Sequence, residues 1–171
     1  DFADVDGDGD EDVLITGSGP SGPQSSLFLN ESLPETSSVG AFITTWQTTT
    51  ANESITIPTI GLGYNYDIDW GDGNTTIGAT ANVNHTYATA GTHQITISGT
   101  FPRIIANTPQ LLSIDQWGCG AWSSMANAFN GCVNLVINAS DTPNLSNVTD
   151  MSQMFFGSTS LGGGTGNWNW D

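Results

Sequence analysis

Residues 64–74 read YNYDIDWGDGN. Tyr64, Tyr66, Ile68 and Trp70 alternate with Asn65, Asp67 and Asp69, and Gly71–Asp72–Gly73–Asn74 follows at once. Period two puts the even-numbered apolar side chains on one face of a strand and the two aspartates on the other. The same texture recurs outward in both directions, in FITTWQT (42–48), SITIPT (54–59), NVNHTY (82–87) and HQITISGTF (93–101). A second turn, Ala90–Gly91–Thr92, precedes the last of these. Short alternating strands separated by turns predict an antiparallel β-sandwich. Trp46, Ile57, Trp70, Tyr87 and Ile97 are its expected core. Asp72 is expected to fix its turn by accepting backbone N–H groups. Asp67, Asp69 and Asp72 would suit a second metal site, but alternation turns the first two away from the core, and a solvated face is the preferred reading.

Downstream the texture changes to an internal repeat. WSSMANAFNGCVNL begins at Trp122 and VTDMSQMFFGSTSL at Val148, an offset of 26 residues. Met125 matches Met151, Phe129 matches Phe155, Gly131 matches Gly157 and Leu135 matches Leu161, with Asp115 and Asp141 coinciding upstream. Met and Phe at i and i+4 predict one face of a short helix in each copy. Ser123 or Ser124, and Thr149 or Asp150, are candidate N-caps, and the two glycines would stop the helices. LLSID and LVINAS supply an accompanying strand. Strand plus short helix at this period predicts a small α/β solenoid.

Upstream, NESLPETSSVG (30–40) lacks periodicity and reads as a linker, set at 33–40. Before it lies DVDGDGDED (4–12), which with Asp1 puts seven carboxylates into twelve positions. Two such charges ~4.5 Å apart repel by roughly 3–4 kcal/mol at an effective dielectric of ~20. The run is either a solvated acidic terminus or a loop around a cation, and its spacing favours the loop. Asp4, Asp6, Asp8 and Asp12 form D-x-D-x-D-G-x-x-D, with Gly9 able to take the positive-φ kink and hard oxygen ligands suited to Ca²⁺. The backbone carbonyl of Asp10 would add a further ligand. The motif begins like an EF-hand, but its twelfth position is Ile15 rather than a bidentate Glu, and a strand-like DVLITG follows.

Composition bounds the partners. The 171 residues carry a formal net charge of −16, and Arg103 is the sole lysine or arginine. No electrostatic footprint for nucleic acid exists, and attraction to an anionic membrane is equally disfavoured. Ser, Thr and Asn total 54 residues, giving a polar, turn-rich surface suited to an exported protein. No apolar run is long enough for a membrane span. Cys119 and Cys132 do not form a metal or redox pattern; two buried free thiols are expected, with a disulfide as the alternative.

Catalysis is not expected. A hydrolase needs a nucleophile with an oriented base, or a metal with an open position. His85 and His93 are the only neutral-pH bases, and both sit at strand positions that suit structural or exposed roles. H-E-x-x-H, G-x-S-x-G and glycine-rich phosphate loops are missing. Trp168 and Trp170 would share a face in a strand, either as a sugar-stacking platform or packed against a further repeat.

Three resemblances cover most of the chain. FADVDGDGDEDVLITGSGP with SSLFLNES (within 1–32) resembles part of an FG-GAP/VCBS-type repeat, which implies a calcium loop between two strands built from Asp4, Asp6, Asp8, Asp10 and Asp12. YDIDWGDGN with HTYATAGTHQITISG (within 41–101) resembles a PKD-type module. PNLSNVTDMSQMFFG (within 102–171) looks like a BspA-type leucine-rich repeat of bacterial surface proteins. The first copy departs from that pattern, with Trp122 for Val and Ser124 for Asp. The expected class is mainly β: a calcium-loop β-hairpin remnant, a PKD-like antiparallel sandwich, then a short leucine-rich-type α/β solenoid. A single partial blade cannot close a propeller, so a fragment of a longer protein with further repeats is expected. Together the resemblances imply a non-catalytic extracellular or cell-surface adhesion module with a protein or glycan ligand. A structural stalk, and a carbohydrate-binding accessory region of a secreted enzyme, are the alternatives.

Overall fold

The computed structural model describes the backbone of residues 2–3, 12–19 and 22–28, and residues 40–166 in full. The chain divides into two compact units, Asp1–Glu35 and Thr36–Asp171. In the first, β1 (Phe2–Ala3), β2 (Asp12–Gly19) and β3 (Gly22–Phe28) form an antiparallel sheet in the order β1-β2-β3.

The second unit opens with β4 (Phe42–Thr48), β5 (Glu53–Ile57), β6 (Asn65–Asp69), β7 (Thr75–Ala79), β8 (Val83–Tyr87) and β9 (Gly91–Thr100). Each expected strand is present, and all pair antiparallel. Strand β5 pairs with β8 in a separate two-stranded sheet, while β4, β9, β6 and β7 lie side by side in the larger one. Alternation decides which faces meet: along β4, Phe42, Thr44, Trp46 and Thr48 are buried while Gln47 is exposed. The expected core residues Trp46, Ile57, Trp70, Tyr87 and Ile97 are all buried, in one cluster with Ile55, Ile68 and Ile95.

The turn after β6 shows why its residues are needed. Trp70 donates its backbone N–H to Asn74 O at 3.1 Å, and Asp72 Oδ1 accepts the Asn74 N–H at 3.1 Å. Gly71 has φ +75°, and a Cβ there would collide with the Gln94 carbonyl. Trp70 itself is buried, and Tyr87 donates its hydroxyl to the Trp70 carbonyl at 2.8 Å.

The larger sheet does not stop at residue 101. Strand β10 (Leu111–Gln116) pairs antiparallel with β4, and β11 (Val136–Ile137) pairs parallel with β10. The full order is β11-β10-β4-β9-β6-β7, a mixed sheet rather than a purely antiparallel one. The apolar cluster is equally continuous, running from Phe42 to Met154. Phe42 is the hinge of that continuity, its ring 5.0 Å from Trp122 edge-on and 6.1 Å from Trp117.

The expected helices are not there. Among the described residues the only helical element is a 3₁₀ turn, Leu161–Gly163. Residues 122–135 and 148–161 are built mainly of turns, and Asn127 and Gln153, at matching positions, sit at φ 58° and 54°. A left-handed residue at the centre of each copy interrupts any α-helix. Met and Phe four apart also fit this non-helical chain of turns, in which Met125, Ala126, Ala128 and Phe129 are buried and Asn127 and Asn130 less so. The candidate caps are likewise turn formers: Ser124 Oγ accepts the Ala126 N–H, and Asp150 Oδ1 accepts the Ser152 N–H. Both cysteines are free, but Cys119 is exposed, against expectation; only Cys132 is buried.

Candidate functional site

Asp4, Asp6, Asp8 and Asp10 lie outside the described residues, as do Trp168 and Trp170. Asp12 opens β2 opposite Ala3, so the strands that flank the acidic run pair with each other.

The Asp67/Asp69/Asp72 group does not converge. Asp67 Oδ1 accepts the Gly78 N–H, Asp69 Oδ1 the Gly71 N–H, and Asp72 Oδ1 both the backbone and side-chain N–H of Asn74. Asp67 and Asp69 are each spent on their own turn or bulge, and Asp72 holds its turn through Oδ1 alone. Among the described residues no group of three or more His, Cys, Asp and Glu side chains is placed to hold a metal ion.

Both histidines, by contrast, come together around Tyr87. His85 lies flat on Trp70, with centroids 4.8 Å apart, and edge-on to Tyr87 at 4.7 Å. Its Nε2 meets Asp72 Oδ2 at 2.8 Å. His93 stacks on the other side of Tyr87 at 3.6 Å, and its Nε2 lies 3.0 Å from Thr48 Oγ1. Burial pushes the Asp72 carboxyl up, but hydrogen bonds from His85 and Asn74 outweigh it and hold the group below the usual carboxylate range. Burial holds the His93 imidazole below its ordinary value; the Asp72 charge opposes this and His85 adds to it. The Tyr87 phenol is pushed well up by burial and by the Asp72 and Asp69 charges.

This grouping has the parts of a proton relay but lacks a nucleophile within it. Thr48 is buried, and its hydroxyl already accepts the Gly91 N–H at 3.1 Å. The cluster fixes the turn end of the β module. Sequence reasoning assigned Asp72 to its turn and His85 to its strand but did not pair them; the signal available was their shared end of a two-sheet module.

The repeats carry the most regular geometry in the chain. Met125, Asn127, Phe129 and Gly131 donate their backbone N–H groups to the carbonyls of Asp150, Ser152, Met154 and Phe156, at 2.8–3.0 Å. The intervening amides of Ala128, Asn130 and Cys132 turn back to Met125, Asn127 and Phe129 in the same copy. The two copies therefore lie against each other in register, residue i opposite residue i+25. Side chains also link the copies: the Phe129 and Phe155 rings stack at 5.6 Å, and Ser158 Oγ donates to Phe129 O at 2.7 Å. On the upstream side, Cys132 Sγ donates to Ala106 O at 3.3 Å and Asn134 Nδ2 to Pro109 O at 2.9 Å. Burial pushes the Cys132 thiol up, which leaves it a packing group and not a nucleophile.

It is this region that a known family reaches. Residues 105–171 match the family model described as "Mycoplasma protein of unknown function, DUF285". That family is loosely related to BspA-like repeats, so the coarser part of the repeat resemblance has independent support. The match does not extend to residues 1–104, where the PKD-type and FG-GAP/VCBS-type resemblances lie. No curated protein and no solved structure matches the chain. No helix among the described residues is long and apolar enough to cross a membrane.

Proposed function

We propose that this chain is a non-catalytic binding and adhesion module of the extracellular or cell-surface type, in which a β-sandwich carries a short stack of repeats. The observation that supports this most is the in-register backbone ladder between residues 125–131 and 150–156. Such a ladder builds surface by repetition and leaves variable side chains on its outer face, as repeat proteins use for protein or glycan ligands. The acidic, lysine-free composition suits an exported protein. Solenoid organisation in the leucine-rich sense, though without helices, is part of the same reading.

The N-terminal acids add a calcium site in this proposal, with Asp4, Asp6, Asp8 and Asp12 supplying carboxylates and Asp10 its carbonyl. Hard oxygen donors at this spacing suit Ca²⁺ with an affinity on the order of 10⁻⁴–10⁻³ M, as in extracellular modules.

A structural spacer is the second reading, and one observation favours it: the core is continuous from Phe42 to Met154, which would make a stiff unit. Probing the full chain against a glycan array and a panel of extracellular matrix proteins, with and without calcium, separates the two. Saturable binding is expected of an adhesion module. Its complete absence on both panels would leave the spacer, and binding confined to glycans would favour the accessory role in a secreted enzyme.

A further inference from the structure

We propose that the outward face shared by the two repeat copies is a carbohydrate subsite, in which Asn127, Asn130, Gln153 and Phe156 hold a neutral oligosaccharide. The proposal rests on the adhesion reading and names the ligand class within it.

The backbone ladder sets these four side chains on a two-by-two grid. Asn127 N–H donates to Ser152 O at 2.9 Å and Gly131 N–H to Phe156 O at 2.8 Å. Position 127 therefore stands beside 153, and position 130 beside 156. Backbones paired in this way run about 4.8 Å apart, a spacing that keeps all four within reach of one short saccharide. The grid looks outward. Asn127 and Asn130 stay partly exposed although the first copy has neighbours on both sides, and Gln153 is exposed. Phe156 is 70% exposed, whereas the ring of Phe155 is stacked on Phe129. Phe156 is the counterpart of Asn130, so it occupies a position that stacking leaves open rather than one that stacking buries.

Three corners of the grid form one hydrogen-bonded unit. Asn130 Nδ2 donates to Asn127 Oδ1 at 3.1 Å and to Gln153 Oε1 at 3.3 Å. This fork uses both hydrogens of the Asn130 amide and fixes how the other two amides face. It leaves two NH₂ groups, Asn127 Nδ2 and Gln153 Nε2, on either side of one acceptor, Asn130 Oδ1. None of the three has a partner among the described residues, and neither asparagine carries a buried orphan atom. A donor–acceptor–donor row suits neighbouring hydroxyl groups, each of which both gives and accepts a hydrogen bond. The fourth corner supplies an exposed aromatic ring for the C–H face of a pyranose.

Charge narrows the choice of ligand. Residues 127–130 and 153–156 contain no ionisable side chain. An anionic ligand would have to approach a chain of net charge −16, and a cationic one would find no carboxylate on the grid. The core of a protein–protein interface is predominantly apolar, whereas this ring stands among amides.

The test is an NMR titration of the isotope-labelled full chain with cellopentaose, galactopentaose and mannopentaose, followed at the side-chain amides of Asn127 and Gln153. Saturable shifts at these amides are expected with at least one of the three sugars. Phe156→Ala should weaken that binding about tenfold without lowering Tm, and Phe156→Trp should retain it. No shift at these amides with any of the three would overturn the proposal. Binding that Phe156→Ala leaves intact would also overturn it, by placing the sugar elsewhere, while the adhesion reading would stand. So would shifts at the same amides produced only by extracellular matrix proteins, which would give this face a protein partner. The adhesion reading itself fails only if neither sugars nor matrix proteins bind anywhere on the chain.

Discussion

The two repeat copies use the same residue types and the same backbone turns, yet Met125 is fully buried and Met151 is 42% exposed. Phe129 is buried, whereas Phe155 is half-buried. The difference is what stands on either side. The first copy lies between residues 102–110, themselves joined to the β module, and the second copy. A residue's contribution here is set by its neighbours in the stack, as expected of a repeat array in which each unit contacts only the next.

That contrast can be broken most severely at its centre. Phe129→Ala removes a ring packed between Trp117 and Phe155 and is expected to cost about 3–5 kcal/mol in denaturant melts. Met125→Ala is expected to cost about 2–5 kcal/mol, and the same change at Met151 about 0.5 kcal/mol, in the range of surface substitutions. Equal losses at the two methionines would mean that the second copy is covered as fully as the first.

A smaller effect sharpens the contrast between the repeats and the β module, because the histidines lie only in the latter. His93 has its imidazole held down by burial, so the folded state binds its proton less readily than the unfolded state. The stability it contributes is complete above the ordinary imidazole value of 6.5 and is lost as pH falls below it. Thermal melts should therefore show Tm falling as pH is lowered from 7 toward 5, and His93→Gln should flatten that slope. A slope unchanged by the substitution would remove His93 from the explanation. The smallest expected effect on residues 40–166 is that of calcium. Calorimetric titration should give heat that vanishes in the double variant Asp6→Asn/Asp8→Asn, while the melting of the second unit stays the same. Equal binding by the variant would sink the assignment.

The β module was legible because period two leaves an unambiguous trace. Tyr66, Ile68 and Trp70 are buried and Asp67 and Asp69 are not, as alternation requires. The W-G-D-G turn was legible for the same local reason. The repeats were legible as repeats but not as conformations, since Met and Phe four apart fit a helix and a succession of turns equally. Asn127 and Asn130, poor helix formers in the middle of the first copy, were the available warning. Long-range facts left no local mark: nothing in LLSIDQ says that it joins β4, or in WSS that Trp122 meets Phe42. The same holds for the pairing of Asp72 with His85, thirteen residues apart, which depends on how the two sheets close.

The central claim is that the β module and the first repeat copy share one core and unfold together. Native-state amide exchange across a denaturant series tests it most directly, by comparing Trp46 and Ile95 in the β module with Asn127 and Phe129 in the repeat. The account predicts that these amides converge on one opening free energy, that of global unfolding. If Asn127 and Phe129 open at a distinctly lower free energy while Trp46 and Ile95 remain protected, the repeats are a separate unit and the shared core is not what holds them.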